Sequence, residues 1–223
     1  MQCPLKKPFF NRDMKKALIL DLDNTIYPVN SIADHLFADL FRILDENAGS
    51  INADDAEKVN KIKQEMTRRP FQHIAEEYRL DNEIRNRMVD KLKNMSYDLP
   101  MQTFEHYVHI RSIPLDKFLV TTGFPKLQWS KVKMLGIEQD FKAIHIADPE
   151  VAQTKKGIFA QIMQKHNYRS EELLVIGDDP ESEIKAAKAL GIDTVLYDPQ
   201  CKYPDADVTY KFSDLKEVVN ILR

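Results

Sequence analysis

Short apolar runs recur along this chain, separated by amphipathic stretches. Ala17-Leu18-Ile19-Leu20, Phe118-Leu119-Val120, Ala143-Ile144-His145-Ile146, Leu173-Leu174-Val175-Ile176 and Thr194-Val195-Leu196 each have the length and bounding of a strand. Strands covered by helices on both faces are continuously apolar rather than alternating, and His145 is the interruption in the third run. Two of the intervening helical patterns end in Leu135-Gly136-Ile137 and Leu190-Gly191-Ile192, where glycine suits the left-handed position just past a helix C-terminus. A further helix is predicted over Gly157 to Lys165 with Thr154 as N-cap, and the segment Val208 to Arg223 predicts a short strand followed by an amphipathic helix. Together these elements predict an α/β fold with a Rossmann-like, doubly wound parallel sheet.

The rhythm changes between Pro28 and Pro100. No strand-like run occurs there, and apolar residues return at helical spacing: Ile32, Leu36, Leu40 and Ile43; Val59, Ile62 and Met66; Ile84, Met88 and Leu92. About four helices are expected, inserted between the first and second strands. An insertion of that length is too long for a loop, so the expected organisation is a core of residues 1–28 and 101–223 with a helical cap domain over residues 29–100.

Composition narrows the function classes. The 223 residues carry 32 basic and 35 acidic side chains, a net charge of -3, with no basic stripe of the kind that binds a nucleic acid polymer. No apolar run approaches the roughly 20 residues of a membrane span, and Ala17 to Leu20 is too short for a signal-peptide core, so a soluble, cytoplasmic protein is expected. Cys3 and Cys201 form no paired motif and are expected to be free thiols without a catalytic role. No Gly-x-Gly-x-x-Gly and no Walker loop occurs, so any phosphate must be held by other means. The sequence leaves the oligomeric state unread.

Four strand ends carry the candidate chemistry. Asp21 and Asp23 follow the first strand directly, where ligands bind in open α/β sheets. Two carboxylates so close repel each other, and a magnesium ion, which takes oxygen ligands, would offset that. Taken alone, the pair is also the make-up of a solvated turn. Thr121-Thr122-Gly123 closes the second strand, offering hydroxyl donors and a glycine that lets backbone approach a ligand. Lys155 and Lys156 open a helix whose dipole disfavours them there; either one would neutralise a nucleophile and a transferring phosphoryl group. Gly177-Asp178-Asp179-Pro180-Glu181-Ser182-Glu183 follows the fourth strand. The helix dipole accounts for acids at 181 and 183 and less well for Asp178.

In this order the four features resemble the motifs of the haloacid dehalogenase superfamily: Asp-x-Asp-x-Thr, a Ser/Thr ending the second strand, a Lys, and Gly-Asp-x-x-x-x-Asp. The resemblance covers essentially the whole chain. It implies a magnesium-dependent phosphatase with an aspartyl-phosphate intermediate, in which Asp21 attacks phosphorus and Asp23 serves as acid and then as base. It further implies that Thr121 binds the phosphoryl group, that Lys155 or Lys156 stabilises Asp21, and that Asp178 joins Asp21 and Asp23 at the metal, with Asp179 and Glu183 behind. Thr25, Thr122 and Gly123 are the further expected substrate contacts. The chain departs from the pattern in lacking Lys-Pro-x-Pro, in Thr122 where Asn is common, and in Glu183 where Asp is common. Asp23 separates phosphatases from dehalogenases, whose leaving halide needs no proton. A receiver domain has about half this length and no insertion. A phosphomutase or a non-catalytic binding homologue remains the alternative. The opening Asp-x-Asp-Asn-Thr-x-Tyr-Pro is similar to that of pyrimidine 5′-nucleotidases, with phosphoglycolate and sugar-phosphate phosphatases near by. Arg68 and Arg69 of the cap have two readings, ordinary surface residues, which is the commoner case, or contacts to a second anionic group on a small phosphate ester; the hypothesis carried forward is that they face the site.

Overall fold

The computed structural model describes residues 15–31, 33–48, 56–66 and 71–222. Ile32 of the first helical stripe, Arg68 and Arg69, and Cys3 lie outside them. Six strands form one parallel sheet: β1 (Ala17–Leu20), β2 (Asp116–Thr122), β3 (Ala143–Ala147), β4 (Leu173–Gly177), β5 (Asp193–Tyr197) and β6 (Tyr210–Phe212). Their order is β3-β2-β1-β4-β5-β6, the doubly wound arrangement expected from the five apolar runs and the C-terminal segment.

Alternate residues of β1 feed two different cores. Leu18 and Leu20 join a large apolar cluster on one face, while Ala17 and Ile19 join a second cluster with Phe118, Val120 and Val175 on the other. Burial on both faces is why the central strands are unbroken apolar runs. β3 departs from that expectation for a positional reason: it is an edge strand, half-buried over its first four residues, and so accommodates His145.

Between β1 and β2 the chain forms α1 (Ala33–Glu46), α2 (Ala56–Met66), α3 (Phe71–Glu77) and α4 (Asn82–Asn94). Their predicted stripes face inward: Leu36 and Leu40 in α1, Val59, Ile62 and Met66 in α2, and Ile84, Met88 and Leu92 in α4 are all buried. Asp81 caps α4 by accepting from the Ile84 amide at 2.9 Å. These side chains are continuous with the apolar cluster under Leu18 and Leu20. A short α5 (Tyr107–Arg111), too brief for periodicity to reveal, precedes β2.

The remaining helices return the chain across the sheet. α6 (Pro125–Leu135) links β2 to β3 and ends on Gly136 at φ 65°; α7 (Lys155–His166) links β3 to β4, with the Thr154 hydroxyl accepting from the Gly157 amide at 3.1 Å. After β4 comes one wide turn, Pro180–Ile184, that runs into α8 (Lys185–Lys188), and α9 (Lys216–Leu222) follows β6. No helix among the described residues is long and apolar enough to cross a membrane.

Candidate active site

The strand order reverses between β1 and β4, and at such a switch point the connections leave in opposite directions, opening a crevice at the strand ends. Asp21 continues β1 into that crevice: its amide donates to the Ile176 carbonyl at 3.0 Å, extending the ladder by one residue. The carboxyl is buried and its Oδ1 accepts from Lys155 Nζ at 2.6 Å. Lys155 donates equally to Glu183 Oε2 at 2.7 Å, and Glu183 Oε1 accepts from the Asp179 amide at 2.7 Å. Glu183 lies directly against Gly177. A Cβ at that glycine would stand 2.1 Å from Glu183 Oε1 and 2.3 Å from its Cγ, so the side chain at 177 must be absent for the carboxylate to reach the lysine.

These contacts separate the two candidate lysines. Lys155 is buried in the carboxylate cluster, whereas Lys156 is exposed. Helix phase explains the difference, because Lys155 shares its face with the buried Ile158, Phe159 and Ile162.

The electrostatics of the cluster follow from burial first and then from several acids around one cation. Burial raises the Asp21 carboxyl; Lys155 opposes this, and Glu183 and Asp23 reinforce it, with the net effect a pKa pushed up to about 7. Asp178, at the end of β4, is pushed up to about 9 by burial first and then by Glu183 and Asp21. Asp179 is also raised, mainly by burial and Glu183, while its side chain accepts from the Glu181 amide at 2.8 Å. Burial alone would lower the Lys155 ammonium, yet Asp21 and Glu183 outweigh it and raise it.

Asp23 sits in a different environment. The turn from Asp21 to Tyr27 is closed by the Ile26 amide donating to the Leu22 carbonyl at 2.9 Å, with Asn24 in the left-handed region at φ 56°, which asparagine tolerates better than most residues. The turn brings the Tyr27 hydroxyl back to donate to Asp23 Oδ1. Lys131 Nζ donates to the same oxygen at 2.7 Å and Gln128 Nε2 to Oδ2 at 2.9 Å. Burial works to raise the Asp23 carboxyl, but Lys131 and the three hydrogen bonds more than reverse it and hold it below the usual carboxylate range.

Thr121, Lys131, Gln128 and Tyr27 therefore join the site, and the last three were not among the residues expected from sequence. Their signal was present in α6: Gln128 and Lys131 occupy the same buried stripe as Leu127 and Val132, where a helix normally buries apolar side chains. Thr121 Oγ1 accepts from Gln128 Nε2 at 2.7 Å, and the Thr122 carbonyl accepts from the same nitrogen at 3.2 Å. Gly123 has φ 153°, and a Cβ there would lie 3.0 Å from Gln128 Cγ. Thr25 is fully buried and its hydroxyl has no hydrogen-bond partner among the described residues.

Among the described residues, no three Asp, Glu, His or Cys side chains are gathered as a finished metal site. The donor chemistry nevertheless suits a hard divalent cation. Asp21 and Asp178 offer only oxygen, and both are pushed up by burial first and then by neighbouring carboxylates, costs that a bound cation would offset.

Comparison with known proteins places the chain among relatives of known description. A 94-residue stretch, 42% of this chain and 39% of the other, is 33% identical to a glyceraldehyde 3-phosphate phosphatase of Pyrococcus furiosus. A protein of the same description from Methanocaldococcus jannaschii is 23% identical over 226 residues, 94% of this chain and 98% of the relative. The chain thus spans well under two thirds of the first of these relatives. The crystal structure of the HAD-hydrolase YfnB of Bacillus subtilis, bound to magnesium, superposes with a TM-score of 0.60 at 20% identity, covering 95% of this chain and all of that one, which is a likeness of fold. The family model of haloacid dehalogenase-like hydrolases matches residues 15–191. The chain belongs to the haloacid dehalogenase-like hydrolases.

Proposed function

We propose that this protein is a magnesium-dependent phosphatase that hydrolyses a small phosphate monoester through an aspartyl-phosphate on Asp21. The observation that carries the reading is the shared ammonium of Lys155, 2.6 Å from Asp21 and 2.7 Å from Glu183, beside Asp178, which forms no ion pair among the described residues. The names of the relatives, glyceraldehyde 3-phosphate phosphatase among them, support the same reaction class.

Asp21 attacks phosphorus along the axis of the bond to the leaving oxygen. Lys155 holds the attacking carboxylate in place and balances charge on the transferring group, while the Thr121 hydroxyl donates to one phosphoryl oxygen. Asp23 passes a proton to the departing oxygen as that bond breaks. Held low by Lys131 and Tyr27, Asp23 stands ready as a base, so the proton for the first half enters with the substrate as its monoanion, whose second pKa is about 6. In the second half Asp23 takes a proton from water, the water oxygen attacks phosphorus, and the bond to Asp21 breaks. A magnesium ion, held by Asp21, Asp178 and the Asp23 backbone carbonyl, would supply neutralisation of the phosphoryl charge.

The helices over 29–100 act in this reading as a cap that selects the rest of the substrate. Its class is a small phosphorylated metabolite: a three-carbon or longer sugar phosphate, phosphoglycolate or a nucleoside monophosphate, with Arg68 and Arg69 meeting a second anionic group. The test is turnover of p-nitrophenyl phosphate with magnesium by the protein and its Asp21→Asn variant, followed by a panel of those phosphomonoesters. Loss of turnover in the variant is expected; unchanged turnover refutes the mechanism. An Arg68/Arg69 double alanine variant with an unaltered substrate profile refutes the role given to those arginines.

A further inference from the structure

Three donors converge on Asp23, and two of them come from one face of α6. Lys131 Nζ takes Oδ1 at 2.7 Å and Gln128 Nε2 takes Oδ2 at 2.9 Å, so both carboxylate oxygens are fixed from the same rigid helix. Both side chains are buried, Gln128 at 2% exposure and Lys131 at 4%, in a stripe whose other members are apolar. Burying an ammonium and an amide there is costly, and an apolar pair would serve packing as well or better. The Lys131 ammonium also lies over the Tyr27 ring, 5.7 Å from its centroid, and the Tyr27 hydroxyl reaches the same Asp23 oxygen.

Gln128 does more than hold Asp23. Its Nε2 stands among three acceptors: Asp23 Oδ2, Thr121 Oγ1 at 2.7 Å and the Thr122 carbonyl at 3.2 Å. A carboxylate and a carbonyl accept only, so the amide must present its nitrogen, and Thr121 must accept from it. The threonine hydrogen is then left to point elsewhere, and the Thr121 hydroxyl has no other hydrogen-bond partner among the described residues. One amide thereby fixes the orientation of two groups from different strand ends.

We propose that Lys131 and Gln128 are positioning residues of this site: together they aim the Asp23 carboxylate at the leaving oxygen, and Gln128 turns the Thr121 hydroxyl outward as a donor for a phosphoryl oxygen. The inference rests on the phosphatase reading given above. It assigns Lys131 a role in proton transfer and Gln128 a role both there and in orienting the donor to the phosphoryl group.

A mispositioned acid penalises esters whose leaving group needs a proton and spares those whose leaving group does not. The experiment therefore measures kcat and KM for p-nitrophenyl phosphate and for an alkyl phosphate such as glycerol phosphate, with magnesium, in the protein and its Lys131→Met, Lys131→Arg and Gln128→Leu variants. Lys131→Met and Gln128→Leu are expected to lower kcat on the alkyl ester by about 100-fold or more, within the range of a general acid. On p-nitrophenyl phosphate the loss is several-fold smaller, and KM moves little on either ester. Lys131→Arg, which keeps the charge and a donor, recovers most of the alkyl-ester rate. Equal losses on the two esters, an effect confined to KM, or a Lys131→Arg variant as impaired as Lys131→Met overturns the inference while leaving the phosphatase reading standing. A protein that hydrolyses neither ester overturns that reading and this inference with it.

Discussion

Metal-free stability should fall as pH rises; the raised carboxyls of Asp21, Asp179 and Asp178 all work in that direction, and Asp178, pushed furthest, works over the widest pH range. Its carboxyl is pushed up to about 9 in the folded chain by burial, Glu183 and Asp21, against roughly 3.9 for an unfolded aspartate. Between those values the folded protein holds a proton that the unfolded chain has released. The stability contributed by the neutral acid is complete below about pH 4 and is lost as pH climbs toward 9, at about 1.4 kcal/mol per pH unit. From pH 5 to pH 8 that is about 4 kcal/mol, which solvent reaching this partly exposed side chain reduces to about 2 kcal/mol. For a chain of this size, 2 kcal/mol corresponds to about 4–8 °C in Tm. The assay is thermal unfolding by circular dichroism in EDTA at half-unit steps of pH, comparing the protein with Asp178→Asn. The variant, neutral at every pH, should be the more stable of the two at pH 8 and show a shallower decline. Magnesium should raise the Tm of the parent protein most at high pH, where it replaces the proton, and raise that of the variant little. Parallel pH profiles for the two proteins, or an equal magnesium response, would refute the electrostatic account of this cluster.

Three substitutions probe the same cluster by geometry. Lys155→Met leaves Asp21 and Glu183 buried without their shared cation and should cost at least about 100-fold in kcat on p-nitrophenyl phosphate, while Lys156→Met, at an exposed position, leaves turnover unchanged; equal effects would reverse the assignment of the lysine. Gly177→Ala puts a methyl where Glu183 lies, and because Glu183 is buried it has nowhere to swing. The variant should lose about 1–3 kcal/mol in a urea melt along with most of its activity, and a melt matching the parent would show that Glu183 is not confined as described.

The sheet was legible because its central strands are buried on both faces, which leaves unbroken apolar runs in the sequence. The same logic explains the exception at β3, where an edge position lets His145 interrupt the run without cost to the core. Three of the four inserted helices were legible from their stripes; α3, with seven residues, had no stripe and entered only through the length of the insertion, and α5 has only five residues and no period to read. Asp21, Asp178 and Thr121 announced themselves by following strands. The sequence reading left Lys155 and Lys156 open; the structure separates them by helix phase, since positions 155, 158, 159 and 162 share one buried face. Tyr27 was not readable by any period. Its return to Asp23 depends on the left-handed Asn24 and a tight backbone turn, a geometry that no spacing rule encodes.

The two buried lysines divide the site into halves with different electrical character. Lys155 is shared between Asp21 and Glu183, so its one charge faces two carboxylates and Asp178 stands near with none; that half has an excess of negative charge that a divalent cation or a proton must meet. Lys131 faces Asp23 alone, assisted by two neutral donors, and that half is balanced without a metal. A nucleophile belongs in the first half, where an added cation brings the phosphoryl group to it. An acid/base belongs in the second, where its charge is set by fixed protein groups and does not change when the cation comes or goes. The spacing of Asp21 and Asp23 along the chain cannot by itself give two carboxylates two such environments; α7 and α6, each delivering one lysine from its own side of the sheet's ends, do so.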